Sequence, residues 1–205
     1  GGAVAAQHSQ SLEALFYHIP GLRVVMPSTP YDAKGLLTHS LRQDHPVMFL
    51  EHKHLYMTKG MVPEEDYEIE FGKAEVMTEG DDVTIVAWSH MLLKAMEAAE
   101  TLAAENIRAE VINLRTLSPL DTDTIMTSVA KTNRVVIAQE AVRRGGVASD
   151  IASYIHQKEF YSLDAPIEIV AGLNIPIPFN LNLEKASVPQ ADDIVAAAKR
   201  TLEHA

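Results

Sequence analysis

The stretch VTIVAWSHMLLKAMEAAETLAAENIRAEVINL, residues 83–114, decides the fold class. It opens on a short apolar run rich in β-branched residues, 83–88. Leu92, Ala95, Met96, Ala99, Leu102 and Ala103 then recur at helical spacing, and 110–114 reads as a second strand. Strands apolar at nearly every position are buried on both faces, which implies a parallel sheet with helices above and below. The pattern continues downstream. Residues 121–131 read as a helix with Asp121 as its N-cap, and 134–139 as a strand. After Gly145-Gly146, the residues Val147, Ile151, Tyr154 and Ile155 form one helical face. Residues 167–171 read as a fourth strand, and a last helix over roughly 190–203 buries Ile194, Val195, Ala198 and Leu202. Residues 72–82 add an edge strand that ends in a turn. Residues 72–205 are therefore predicted as one three-layer α/β/α domain with a mostly parallel sheet.

The upstream part has the same grammar but less of it. Residues 23–27 and 46–51 read as strands. Between them, 28–41 reads as a helix capped by Ser28 or Thr29, with Pro30 where a missing N–H costs nothing and with Ala33, Leu36, Leu37 and Leu41 facing inward. Two strands do not make a doubly covered sheet. Residues 1–51 are therefore expected to be the C-terminal part of a second α/β domain whose front is missing. Residues 52–71 show no period and read as a linker. The start on Gly1-Gly2, with no Met, agrees with a piece of something longer.

Composition narrows the function classes. The net charge of -11 over 205 residues leaves no basic stripe for phosphates, which argues against nucleic acid and anionic membranes as partners. The absence of cysteine excludes disulfides, thiolate zinc sites and a cysteine nucleophile. No apolar run approaches the roughly 18 residues of a membrane helix.

Several short runs share a pattern: Gln7-His8-Ser9-Gln10-Ser11, His18-Ile19-Pro20-Gly21-Leu22, Pro27-Ser28-Thr29-Pro30, and Asp32-Ala33-Lys34-Gly35-Leu36-Leu37. They are followed by HPVMFLE (45–51), INLRTLSPLD (112–121), KTNRVVIAQEA (131–141) and IPIPFNLNLEKASVP (175–189). In order and spacing the chain resembles the beta subunit of the thiamine-diphosphate-dependent 2-oxo acid dehydrogenases, the decarboxylating component of the pyruvate, branched-chain 2-oxo acid and acetoin complexes. The resemblance implies a transketolase C-terminal-like domain preceded by part of a pyrimidine-binding domain. It implies oxidative decarboxylation of a 2-oxo acid, pyruvate first, with reductive acylation of lipoyl groups. The implied partners are an alpha subunit in an α2β2 heterotetramer and a dihydrolipoyl acyltransferase core. Thiamine diphosphate would be shared with the alpha subunit, which carries the Mg²⁺, and the location would be the bacterial cytoplasm rather than the mitochondrial matrix. The glutamate that activates the cofactor would lie in the missing front, so this chain alone is expected to be inactive. The alternatives are an acetoin-cleaving subunit, half of a transketolase or deoxyxylulose-phosphate synthase, and a non-catalytic assembly and docking module.

The resemblance also implies site residues. His8 matches the active-site histidine near the thiazolium and the incoming lipoyl group, a task suited to a side chain that exchanges protons near neutral pH. Backbone carbonyls at Ser40, Leu41, Gln43 and His45 match a K⁺ site, although the family usually has Asp and Asn at the last two positions. His18 reads as a helix C-cap. His52 and His54, read as one face of a strand with no third ligand spaced to help, read as a solvated edge. Arg115 reads as an interdomain ion pair, and Arg143-Arg144 as an interface feature. Glu203 and the terminal carboxylate of the tail RTLEHA read either as docking groups for the acyltransferase or as a solvated helix end, and a double change of Glu203 and Glu184 tells the two apart.

Overall fold

From residue 83 onward the main strands alternate with helices as expected, and the central strands divide their side chains between two cores. The computed structural model describes residues 2 and 4–203. Along β4 (Val83–Ala87), the side chains of Val83, Ile85 and Ala87 point to one face and that of Val86 to the other, following the period of two that an extended chain imposes. The first face is covered by α4 (His90–Ala103) and α8 (Ala191–Leu202), which contribute Leu92, Ala95, Leu102, Ile194 and Ala198. The opposite face is covered by α5 (Thr122–Thr132) and α6 (Val147–Glu159) through Ile125, Val129, Ile151 and Ile155. Each such side chain, removed from water, stabilises the fold by about 1.5–3 kcal/mol before the entropy of ordering it is counted.

The sheet between these layers runs β3-β5-β4-β7-β8, with β3 (Glu75–Thr78), β5 (Ala109–Asn113), β7 (Val135–Val142) and β8 (Glu168–Gly172). Only the edge strand β3 is antiparallel. The fully buried Thr84 sits among apolar neighbours without penalty because its hydroxyl meets Ser128 Oγ and Thr132 Oγ1, each at 2.7 Å. β4 and β7 lie side by side, yet the chain leaves β4 for the α4 face and β7 for the α6 face. Their carboxyl ends therefore splay apart and leave a crevice, the place where open parallel sheets bind ligands.

The front of the chain starts with two one-turn helices, α1 (Ala5–His8) and α2 (Glu13–Tyr17). The strands β1 (Arg23–Val25) and β2 (Val47–Phe49) pair in parallel around α3 (Pro30–Leu41). Thr29 caps α3: its hydroxyl accepts from the Asp32 N–H at 3.0 Å, while Asp32 accepts from the Thr29 N–H at 3.1 Å, a reciprocal capping box. Leu36 is buried, but Leu37 and Leu41 are 44% and 79% exposed, against the expectation that both face inward. Leu36 packs with Val25 of the sheet, and Gly35 lies against Tyr67 and Ile69 of the following segment, whereas Leu37 and Leu41 point away from both.

Two further elements escaped the sequence reading. β6 (Thr116–Ser118) leaves the large sheet and pairs antiparallel with β1, so the small sheet is β2-β1-β6. α7 (Leu181–Ser187) is capped by Asn180, whose Oδ1 accepts from the Asn182 and Leu183 N–H groups. The period-free segment 52–71 begins with a 3₁₀ turn, Lys53–Met57, and ends with Ile69 buried against α3. Among the described residues, no helix is long and apolar enough to cross a membrane.

Candidate functional site

His8 is the last residue of α1 and is exposed. The flanks of α1 are tied down. Gly2 N–H donates to Glu184 Oε1 at 2.7 Å, Val4 N–H to Ser9 Oγ at 3.2 Å, and Ser11 Oγ to Glu140 Oε1 at 2.9 Å. Ser9 is buried, so the polar run places His8 outward while Ser9 turns in. His18 is the C-cap of α2, and its N–H reaches Ala14 O at 3.2 Å. His8 and His18 belong to two separate one-turn helices, not to the ends of one longer helix.

The expected cation-binding turn follows α3. Ser40 and Leu41 close the helix, and Gln43 and His45 lie in the turn before β2. Ser40 O accepts from the Gln43 N–H at 3.3 Å, and Ser40 Oγ donates to Leu36 O at 2.7 Å. The carbonyls of a helix end have the right chemistry for a hard monovalent cation, although Ser40 already spends one lone pair on the chain itself. The Gln43 amide lies over His39, 3.1 Å from its Nε2.

A second group of functional side chains converges where sequence spacing gave no signal. His52 is not on a strand face; it caps the 3₁₀ turn, and its ring is only 11% exposed. Its Nε2 lies 2.9 Å from Glu140 Oε2. His90, the first residue of α4, brings Nδ1 to 3.3 Å from the same oxygen. The rings of His52 and His90 stack at 4.7 Å, and His54 lies 5.4 Å from each. The partners of the EHKH run therefore come from elsewhere in the chain, just beyond β4 and from the end of β7. Burial alone would raise the Glu140 pKa, but the His52 and His90 hydrogen bonds hold it far below the ordinary carboxylate range. Burial, reinforced by the neighbouring imidazoles His52 and His90, lowers that of His54.

Two family models cover this architecture. The transketolase C-terminal domain matches residues 72–194, and the transketolase pyrimidine-binding domain matches residues 1–59. The chain belongs to the transketolase C-terminal domain family. Among its relatives is the "Acetoin:2,6-dichlorophenolindophenol oxidoreductase subunit beta" of Cupriavidus necator, 50% identical over 99% of this chain and 60% of the relative. Another is the "Pyruvate dehydrogenase E1 component subunit beta" of Rickettsia felis, 49% identical over 96% of this chain and 60% of the relative. The chain thus spans about 60% of the length of these curated relatives. A solved "Split gene transketolase, inactive beta4 tetramer" superposes with a TM-score of 0.82 at 29% identity, over 97% of this chain and 63% of that one.

In this member of the transketolase C-terminal family, the front and back segments are joined by a buried ion pair. Arg115 follows β5 with a positive φ of 59° and sets Nε 2.7 Å from Asp32 Oδ1 and a terminal nitrogen 2.5 Å from Glu75 Oε2. This is the ion pair expected of Arg115. Asp32 also accepts from Asn113 Nδ2 at 2.8 Å, so one carboxylate ties α3 to the end of β5. Arg143 and Arg144 are exposed in the turn before α6. Glu184 is buried and accepts from the Gly2 N–H. Glu203 is exposed at the end of α8, and the terminal carboxylate expected to act beside it lies outside the described residues.

Proposed function

We propose that this chain is the C-terminal part of the beta subunit of a thiamine-diphosphate-dependent 2-oxo acid dehydrogenase, with residues 1–51 completing a pyrimidine-binding domain, 52–71 linking, and 72–205 forming the C-terminal domain. The relatives at 50% and 49% identity support the class, and their names divide between acetoin and pyruvate. The two substrates are chemically close. Each presents a two-carbon acyl unit attached to a carbon that departs, as carbon dioxide from pyruvate or acetaldehyde from acetoin. We take pyruvate as the substrate and acetoin as the second reading.

The observation that carries the role of this chain is the outward-facing His8 between pinned flanks. An exposed imidazole on an anchored loop fits a reacting group that arrives from outside the chain, in a cleft shared with an alpha subunit. When bound, thiamine diphosphate supplies the electron sink for carbon–carbon cleavage. His8 donates or accepts a proton at the ring nitrogen facing the cleft as the acyl unit passes to the lipoyl arm. The anchoring at Val4–Ser9 and Ser11–Glu140 keeps the ring where it is needed, because misplacement of a catalytic group costs rate steeply. No residue of this chain is assigned the cofactor-activating glutamate or the Mg²⁺ site; the alpha subunit would hold the metal. The turn at Ser40, Leu41, Gln43 and His45 would bind K⁺. Docking to an acyltransferase core and a cytoplasmic location complete the reading, the latter in keeping with the bacterial relatives. The solved relative described as an inactive beta4 tetramer agrees with a beta chain that needs its partner.

The test is co-expression of the full-length subunit with its alpha partner and assay on pyruvate, 2-oxoisovalerate and acetoin. The expected result is turnover of pyruvate that falls about 100-fold or more in His8→Gln, with a melting temperature higher in K⁺ than in Na⁺. Unchanged acyl transfer in His8→Gln removes the assigned role. Turnover of acetoin alone selects the second reading.

A further inference from the structure

We propose that His52, His90 and Glu140 form a binding site for a divalent transition metal of the zinc class. The inference goes beyond the dehydrogenase reading and does not rest on it.

The donor set comes first. Two imidazole nitrogens and one carboxylate oxygen are the protein ligands of many three-ligand zinc centres, with the fourth position left to water or substrate. Paired imidazoles select against Mg²⁺ and Ca²⁺, which prefer oxygen, and the chain has no thiolate to draw softer ions. The geometry comes second. His52 Nε2, His90 Nδ1 and a Glu140 oxygen all lie within 4.8 Å of one another. The measured separations from Glu140 Oε2 are 2.9 Å to His52 and 3.3 Å to His90. Donors around a tetrahedral zinc with bonds of about 2.0–2.1 Å stand roughly 3.3 Å apart, so a small spreading of the cluster admits the ion.

The location is an independent observation. His90 stands just past β4 and Glu140 lies near the end of β7, at the crevice where the connections from these adjacent strands part to opposite faces. That crevice is where the architecture itself favours a ligand. A cavity of about 260 Å³, lined by Ser28, Thr29, Glu51, His52 and Tyr56, opens beside the site. The His90 side chain is 24% exposed, so solvent reaches this end of the cluster.

The cluster is also supported from behind. The second oxygen of Glu140 takes the Ser11 hydroxyl at 2.9 Å, the kind of outer bond that fixes a ligating carboxylate. The His54 N–H donates to His52 Nδ1 at 3.2 Å, which leaves the proton of neutral His52 on Nε2, facing Glu140. Metal loading moves that proton to Nδ1, gives up the long His54 bond, and turns the Nε2 lone pair to the ion. Loaded, the site ties the 3₁₀ turn to the sheet of the C-terminal domain through the ion, and it reaches the Ser9–Leu12 loop through Ser11.

The test uses tag-free full-length subunit, stripped with chelator and titrated with Co²⁺ in the absence of thiamine diphosphate. The expected result is one equivalent of Co²⁺ with a visible ligand-field spectrum, displaced by Zn²⁺ but not by Mg²⁺. His52→Ala and His90→Ala abolish the spectrum while retaining the parent circular dichroism. Ser11→Ala keeps the spectrum but weakens binding about 10-fold. Absence of a Co²⁺ spectrum in the parent overturns the proposal, as does a spectrum that survives in folded His52→Ala and His90→Ala.

Discussion

Glu13 shows how much a single buried charge can matter. It is 2% exposed, and its Oε2 has no hydrogen-bond partner. Burial is the main cause that raises its pKa, and the negative Glu140 adds to it, against weaker hydrogen bonds from its own backbone and from Trp88. The sign follows from proton linkage. In the window between the unfolded and folded values the native state holds the extra proton, so stability falls as pH rises above about 4.3. Glu13→Gln removes the titration and keeps the shape. It is expected to raise the melting temperature at pH 7–8 by roughly 2–4 °C, equivalent to about 1 kcal/mol in a chain of this size. The advantage should shrink as pH falls toward about 4.3 and be absent below it. Melting curves across that range check it, and a variant less stable than the parent at pH 8 contradicts it. Nothing in the run SLEAL marks Glu13 as buried, because a glutamate at a helix start reads as a solvated first-turn residue; only the packing of α2 against α6 and β1 encloses it.

Among the elements, the turn from β7 into α6 is the most tightly constrained. Gln139 is fully buried, and its amide serves three backbone groups: Nε2 reaches Val142 O at 2.8 Å and Ala141 O at 3.3 Å, and Oε1 accepts from the Ala148 N–H at 2.9 Å. The chain fits around that amide only because Gly146, the N-cap of α6, has no Cβ. An added Cβ would stand 2.1 Å from Gln139 Nε2 and 2.8 Å from Val142 O. Gly146→Ala is therefore expected to cost about 2 kcal/mol, more than the roughly 1 kcal/mol that replacing a favourable N-cap residue by Ala typically costs. Urea denaturation measures the loss, and a neutral result would show that the Gln139 network can yield. Sequence identified the glycine pair as a helix entrance, but the reason for it lies in a side chain seven residues upstream that folds back over the turn.

For the molecule as a whole, β6 joins front to back. Val24 and Met26 of the front share one buried cluster with Trp88, Ile112, Leu114 and Leu117 of the back, and the Arg115–Asp32 ion pair spans the same seam. Breaking a buried pair of this kind by removing one partner costs about 3–5 kcal/mol, so the two parts hold each other strongly. We expect one cooperative unfolding transition. The fluorescence of the sole tryptophan, Trp88, and far-UV circular dichroism should give superimposable curves in denaturant. Two separated transitions would show that the seam is weaker than its contacts imply.

The sequence alone determined the order of β4, α4, β5, α5, β7, α6, β8 and α8, because apolar period and caps are local properties and each element carries its own. It also determined the Asp121 cap, narrowed the cap of α3 to Ser28 or Thr29 and, through short runs spread along the chain, determined the family. Only the tertiary structure decided that β6 pairs with β1, that Leu37 and Leu41 stay open, and that Glu184 is engaged with the front of the chain. The same holds for His52, His90 and Glu140, which lie 38 and then 50 positions apart in sequence yet meet at one crevice. Spacing along a chain reports neighbours on one helix or strand, whereas which side chains meet across strands depends on how the sheet is ordered and on the face each connection takes.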